Sequence, residues 1–377
     1  DALGRILAED VVSSIDVPAH DNSGMDGYAM RHADLQPDAD VTLRVVGTSF
    51  AGRPYTGPVN AGEAVRIFTG AVVPPDCDTV IMQERAKAAD GNVTLGTGAK
   101  AGQNVRKAGE DLKTGAVVFH KGQRVRAAEL GMLASIGVIE VSVYRRLRVA
   151  LFSTGDELVQ LGGTPGPGQI FDSNRYTMYG MLADLGCEVI DMGVVRDRPE
   201  DVEAAFAAAA AAADVVMTSG GVSVGDADYV KQMLDRLGEV LFWKIAMKPG
   251  RPLAFGRIDG AHFFGLPGNP VAVMVTFYQF VRDALFVLMG RTDVTPVPMF
   301  KVPLAAPIRK APGRTEFQRG ILSRGADGAL SVVTTGDQGS GILSSMSRAN
   351  CFIVLPTDQG NVDVGTLVDV QPMDGVI

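Results

Sequence analysis

The sequence predicts a multidomain α/β plus β protein. A central, open, mainly parallel α/β sheet is flanked by a mixed, β-rich N-terminal region and a small β-rich C-terminal domain. Three observations predict this. Apolar strand-like runs alternate with helix-like stretches through 147–290, the pattern of a parallel sheet with crossover helices. Short apolar or alternating runs punctuated by Gly and Pro fill 1–146 and 291–377. A chain of 377 residues also exceeds the size at which a single core stops growing.

In the first region (1–146), strand-like runs at 41–46, 64–67, 79–83 and 116–119 are separated by glycines and prolines. A β-module is expected to be inserted near 41–105. Ala127, Leu130, Leu133 and Ala134 recur at helical spacing, which predicts a short helix over 126–136. The first residues look helical, and with no initiator Met or signal-peptide pattern Asp1 is expected to follow trimmed residues. In the second region (147–290), strands are expected at 149–152, 188–195, 215–218, 240–245, 253–255 and 263–266. Helices are expected at 175–185, 199–213, 229–237 and 270–289. Pro270 stands at the start of the last, where proline is tolerated. The alanine run 204–213 suits a helix packed closely on a sheet, not a membrane span. In the third region (291–377), runs at 301–304, 353–355 and 367–370 predict a small sheet or barrel.

Charge and composition exclude several classes. With 35 Lys and Arg against 43 Asp and Glu, the net charge is −8, the reverse of a general nucleic-acid binder. Cys77, Cys187 and Cys351 are far apart, and the four histidines form no HxxxH or HExxH pattern. A disulfide framework, a structural zinc site and a histidine-built metal centre are therefore not expected. No transmembrane helix is read, and a cytoplasmic setting is expected.

The chemistry-bearing segments follow strands. TSGGVSVGDADY at 218–229 comes after the apolar run ending at Met217 and before a helical pattern. Gly220 and Gly221 carry no Cβ, so backbone N–H groups there can approach a ligand, and Ser219 and Ser223 add hydroxyls. Asp226 and Asp228 open the following helix. A glycine loop suits a phosphate and the carboxylates suit a divalent cation, although the loop matches neither GxxxxGK[ST] nor GxGxxG. The bland alternative is a tight strand–helix turn. Lys244, Lys248 and Arg251 form a basic group fit for an oxyanion, or else a solvated run. GLPGNP at 265–270 is a turn fixed by Pro267 and Pro270, with Gly268 allowing an unusual backbone angle. It serves either rigidity or ligand contact. Asp156, Glu157 and Asp197 each read singly as helix caps; as a set at strand ends, metal or charge management competes. In an open α/β sheet, ligands bind beyond the carboxyl ends of the strands, which is where these residues fall.

Taken in order, the motifs resemble the family of molybdopterin molybdenumtransferases, the bacterial MoeA proteins and the E domain of gephyrin. The resemblance rests on SGMDGYA at 23–29, IFTGA at 67–71, AGED at 108–111 and FSTGDEL at 152–158. It continues through SGGVSVGDADY at 219–229, KPGRP at 248–252, GLPGNP at 265–270, EFQRG at 316–320 and QGSG at 338–341. It covers essentially the whole chain. It implies a central domain of molybdopterin-binding type and insertion of molybdate into adenylylated molybdopterin, with release of AMP and aid from Mg2+ or a similar divalent cation. It further implies Asp228, Glu157, Asp197, Asp26, Thr69 and Asp111 as functional polar residues, Asp228 and Glu157 as metal ligands, and Ser219, Lys244, Lys248, Arg319 and Ser340 as holders of molybdate or phosphate. Pro267 and Pro270 would shape the loop, and Arg251 replaces a lysine common in the family. The implied partners are adenylylated molybdopterin and molybdate, a second copy of the chain sharing the active site, a molybdopterin adenylyltransferase and molybdoenzyme apoproteins. No nucleic-acid or membrane partner is expected. The alternatives are a molybdopterin adenylyltransferase, which would leave both flanking regions unexplained, and a gephyrin-like scaffold.

Overall fold

The computed structural model of the chain describes residues 1–220, 236 and 238–373. The expected loop and helix over 221–235, with Gly221, Ser223 and Asp228, lie outside the described residues. The chain divides into two compact units, residues 1–3 with 7–143, and 4–6 with 144–377.

In the first unit a six-stranded mixed sheet has the order Thr79–Met82, Gly27–Met30, Glu63–Ile67, Val41–Ser49, Asn92–Leu95, Ala86–Ala89. Alternate residues of a strand face opposite ways, and this sheet has apolar residues on both faces. Ala29, Val65 and Ile67 pack with Val59, Ala71 and Val80, while Tyr28, Met30 and Ala64 pack with Leu43, Ile81 and Val93. The expected short helix is Ala127–Ser135. Glu129 closes its first turn by accepting from the Arg126 N–H at 2.9 Å and from the Arg126 guanidinium, which holds the Glu129 carboxyl down at about 2. The opening residues are not helical. Leu7 instead bridges Val143 and joins a cluster with Val125 and Phe119, so its apolar surface serves that cluster and not a helical face.

In the second unit the central sheet has the order Glu188–Val195, Arg148–Thr154, Val215–Ser219, Ala261–Leu266, Pro252–Ile258, Gly238–Lys244. The first four strands are mutually parallel; Pro252–Ile258 runs against both of its neighbours. This is the open, mainly parallel sheet that the alternation predicted. Both faces are covered, as a parallel sheet requires. Val149, Leu151, Val215 and Met217 face the helix Ser173–Asp184 and the long helix beginning at Pro270. Ala150, Phe152 and Val216 face the alanine-rich helix Pro199–Ala212, where Phe206 meets Phe152 and Phe263 edge-on at 5.1 and 5.4 Å.

The helix Pro270–Leu288, expected as a long apolar helix, is by length and composition alone able to cross a membrane. Its Val271, Val273, Val275, Phe277, Val281 and Leu285 are fully buried in the protein core, so its apolarity serves packing. A five-residue π segment, Phe277–Val281, interrupts it. The rest of the unit is a second sheet with the order Met247–Lys248, Thr315–Arg324, Cys351–Leu355, Leu367–Pro372, Phe300–Pro303, and with Leu330–Thr334 paired to Thr315–Arg324. The sequence reading missed the ten-residue strand Thr315–Arg324. Its Glu316, Gln318 and Arg319 are polar yet buried, so no hydrophobic alternation marks it.

Replacing Phe206 by Ala removes an aromatic side chain held between two others. It is expected to destabilise the central domain by about 3–5 kcal/mol, seen as a lower unfolding midpoint in urea followed by near-ultraviolet circular dichroism. A shift within error would contradict the packing described.

Candidate active site

The parallel strands end in register. Val195 pairs with Thr154, Ser153 with Ser219, and Ser219 with Leu266. The residues that follow them therefore stand in a row along one edge: Asp197, then Asp156 and Glu157, then Ser219 and Gly220, then Pro267. The antiparallel pair extends that row, because Lys244 pairs with Pro252 and Ala254 with Gly265. The loop carrying Lys244, Lys248 and Arg251 leaves the sheet at the same edge, with all three side chains exposed.

Ser219 is the best-fixed member of the row. It is 2% exposed, donates its hydroxyl to Pro267 O at 3.1 Å and accepts from Asn174 Nδ2 at 2.8 Å. Asn174 Nδ2 donates also to Gly268 O at 2.7 Å, so one amide ties a helix start to a strand end and to the turn after a second strand. Gly220 has φ +89°, and a Cβ there would stand 2.6 Å from Thr154 O. Both the backbone angle and the close approach demand glycine. Gly268, by contrast, has neither a positive φ nor a close neighbour. The turn is stiffened by Pro267, Pro270 and the bonds it accepts.

Asn174 was not found by sequence reasoning, which began the helix at 175. The helix begins at Ser173, and Asp172 caps it by accepting from the Arg175 N–H. The Asp-Ser pair before the apolar periodicity was the available signal. Arg175 is buried between Asp172 and Asp191, and Ser153 donates to Asp172 at 3.2 Å, so the first turn bearing Asn174 is anchored to the sheet. Asn174 Oδ1 is buried without a hydrogen-bond partner among the described residues, an arrangement that costs about 1–3 kcal/mol.

The C-terminal sheet reaches the same turn. The Val271 N–H donates to Ser340 O at 3.1 Å, so the QGSG loop caps the helix that starts at Pro270. Arg319 is 1% exposed and donates to Ser345 Oγ at 2.9 Å and Gly339 O at 3.0 Å. Among the described residues no carboxylate lies within ion-pair distance of it, and burial pulls its pKa below the ordinary 12.5. Lys248 pairs instead with Glu316 at 3.3 Å, and Gln318 donates to the other Glu316 oxygen. Glu316 and Gln318 share one face of their strand and Arg319 lies on the other, so Lys248 and Arg319 do not meet.

The acids gather only in part. The Asp197 N–H donates to Asp156 Oδ1 at 3.4 Å, and the Glu157 carboxylate folds over Gly155, where a Cβ would lie 2.5 Å from Glu157 Oε2. No three His, Cys, Asp or Glu side chains among the described residues could hold a metal together. Mg2+ takes one or two carboxylates beside substrate phosphates and its own waters, so the chemistry of these donors fits such an ion. Cys77, Cys187 and Cys351 are all buried free thiols, with burial pushing their pKa up to about 12, 12 and 11. They are poor nucleophiles at neutral pH.

In the first unit, Asp26 Oδ1 accepts from the Thr69 N–H at 2.8 Å and Oγ1 at 2.7 Å. The Gly27–Ile67 strand pair places them together. Asp111 is tied through its backbone N–H to Val17 O and makes no side-chain bond to either.

With this geometry described, the chain's class follows from its three regions. Residues 1–137 match the MoeA N-terminal region (domain I and II), 150–286 a probable molybdopterin binding domain, and 301–373 the MoeA C-terminal region (domain IV). The chain belongs to the MoeA family of molybdopterin molybdenumtransferases, enzymes of the transferase class. It is 46% identical over its whole length to the molybdopterin molybdenumtransferase of Haemophilus influenzae, covering 93% of that protein. The protein of the same name from Nostoc sp. is 38% identical over 97% of this chain and 85% of its own. Two MoeA crystal structures from Pyrococcus horikoshii superpose with TM-scores of 0.79 and 0.85 at 33% and 29% identity, each covering at least 99% of this chain and 92% of its own.

The Thr69 N–H and O–H hold Asp26 below the ordinary 3.8. Its folded-state pKa is depressed, so its stabilising effect is present above the unfolded value and lost as pH falls through the folded one. Thr69→Val removes the hydroxyl and is expected to raise the Asp26 pKa toward 3.8 in a nuclear magnetic resonance titration. An unchanged value would show that the hydroxyl contact does not form.

Proposed function

We propose that this chain inserts molybdenum, delivered as molybdate, into adenylylated molybdopterin and releases AMP with the finished cofactor. The observation that carries the reading is Arg319, a buried guanidinium that makes no ion pair among the described residues and feels only the more distant charge of Asp337. A buried charge is stable only when paired, and an incoming oxyanion supplies the pair. Membership of the molybdenumtransferase family across the whole chain supports the same reading and gives no support to the adenylyltransferase and scaffold alternatives.

In this proposal the strand-end row is the seat of the pterin nucleotide. The hydroxyl of Ser219 is already committed to Pro267 and the Gly220 N–H to Leu266 O, so both act by fixing the strand end, and phosphate would be met by the glycine-rich segment that follows. Ser223 adds a hydroxyl to the same loop. Pro267 and Pro270 keep the opposite wall rigid. Lys244, Lys248 and Arg251 neutralise phosphate at the exposed end, while Arg319 and Ser340 serve molybdate; the substrates bring more than one anion, which suits two separated basic groups. Glu157 and Asp228 would hold Mg2+, with Asp197 close by. When bound, the ion would neutralise charge on the phosphates. The described chain supplies binding and orientation; its buried thiols give no covalent route.

The proposal extends to a homodimer with a shared site, to which Asp26, Thr69 and Asp111 contribute, to transfer from a molybdopterin adenylyltransferase and on to apoenzymes, and to a cytoplasmic setting. Of the residues expected to be shared, Asp26 and Thr69 are already brought together within one chain.

Purified chain supplied with molybdate and adenylylated molybdopterin is expected to release AMP in step with molybdenum cofactor, and Asp228→Ala to lower the rate by about 100-fold or more. No AMP release by the wild type would overturn the activity; wild-type turnover by the variant would remove Asp228 from it. Mixed Asp26→Ala and Asp228→Ala subunits are expected to regain part of the activity. Verified mixed dimers without activity would refute the shared site.

A further inference from the structure

We propose that Asn174 is a specificity-determining residue of this site, its Oδ1 accepting a hydrogen bond from an N–H or O–H donor of the bound pterin nucleotide. The inference rests on the function proposed above. Three buried side-chain atoms among the described residues lack a partner: Asn22 Oδ1, Asn174 Oδ1 and Thr276 Oγ1. Asn22 lies in the first unit and Thr276 within the long core helix. Asn174 Oδ1 alone stands at the carboxyl edge of the parallel strands, where open α/β sheets bind ligands.

The amide cannot turn to satisfy itself. Its nitrogen has two hydrogens, and Ser219 Oγ at 2.8 Å and Gly268 O at 2.7 Å take them both. A flipped amide would set Oδ1 against the Gly268 carbonyl, acceptor against acceptor. Ser219 cannot help, because its single hydrogen goes to Pro267 O. The Asp172–Arg175–Asp191 network fixes the turn that carries the residue. The oxygen is closed to bulk water and no described group donates to it, so a donor carried by a ligand is what would satisfy it. A neutral acceptor selects a neutral donor, and an adenylylated pterin carries two sources: the pterin 2-amino group and the nucleotide's amino and hydroxyl groups.

The test measures calorimetric affinities of the full chain for matched pairs. These are pterin against lumazine, which has a carbonyl in place of the 2-amino group; AMP against 2′-deoxy-AMP; and AMP against purine riboside monophosphate, which lacks the 6-amino group. Wild type is expected to prefer the donor-bearing member of one pair by about tenfold, and Asn174→Leu to erase that preference while sparing the others. Loss confined to the pterin pair assigns the donor to the pterin; loss confined to an AMP pair assigns it to the nucleotide. Asn174→Asp keeps an oxygen but loses both donated bonds, so it is expected to lower the melting temperature yet retain the preference. Asn174→Leu keeping every wild-type preference would overturn the inference alone. Wild type that binds neither pterin nor AMP would overturn the functional reading with it.

Discussion

The site depends on one constraint: the turns that follow neighbouring parallel strands must be held at fixed positions relative to one another. Register delivers their ends to one edge, through the pairs Val195–Thr154, Ser153–Ser219 and Ser219–Leu266. Register alone does not fix the loops. Ser219 Oγ and Asn174 Nδ2 do so, binding Pro267 O and Gly268 O and joining a strand end, a helix start and a proline turn. Each component is stiff for its own reason: Ser219 is buried in a strand, Asn174 sits on a capped and ion-paired turn, and the GLPGNP turn has two fixed φ angles. A site on such elements keeps its shape without a ligand, so less ordering entropy opposes binding.

The arrangement also separates charges by burial. Arg319 lies inside, held by a hydroxyl and a carbonyl, with no ion pair among the described residues and only the more distant Asp337 charge to offset its own. Lys248 stands half-exposed against the buried Glu316. Surface charges attract anions at long range and are screened by salt, whereas a buried guanidinium acts at contact. A chain of net charge −8 can therefore bind anionic substrates locally, which the overall balance of charge conceals.

The fold was largely legible because the central strands declare themselves twice. Val149–Phe152 and Val215–Met217 are apolar on both faces, as a parallel sheet covered by helices requires, and Gly or Pro follows each strand. The C-terminal strand Thr315–Arg324 was illegible because Glu316, Gln318 and Arg319 are buried through hydrogen bonds, and local pattern carries no trace of distant partners. Site residues were legible where glycine or proline marked a strand end, as at Gly220 and Pro267. Asn174 was not, since an asparagine at a helix start resembles any other until Ser219 and Gly268, far along the chain, are brought against it. The apolar helix at 270 shows the converse: composition permits a membrane span, and only its burial reveals a core helix.

The central claim is that anions enter at the edge where the parallel strands end and at the buried arginine beside it. Diffraction from crystals soaked in AMP and molybdate tests it most directly, with the molybdenum located by its anomalous signal. The account predicts AMP phosphate density against the Ser219–Gly220 strand end and an anomalous peak within contact of Arg319 or Ser340. Well-ordered AMP and molybdate bound away from that edge, with Arg319 still unpaired, would contradict it.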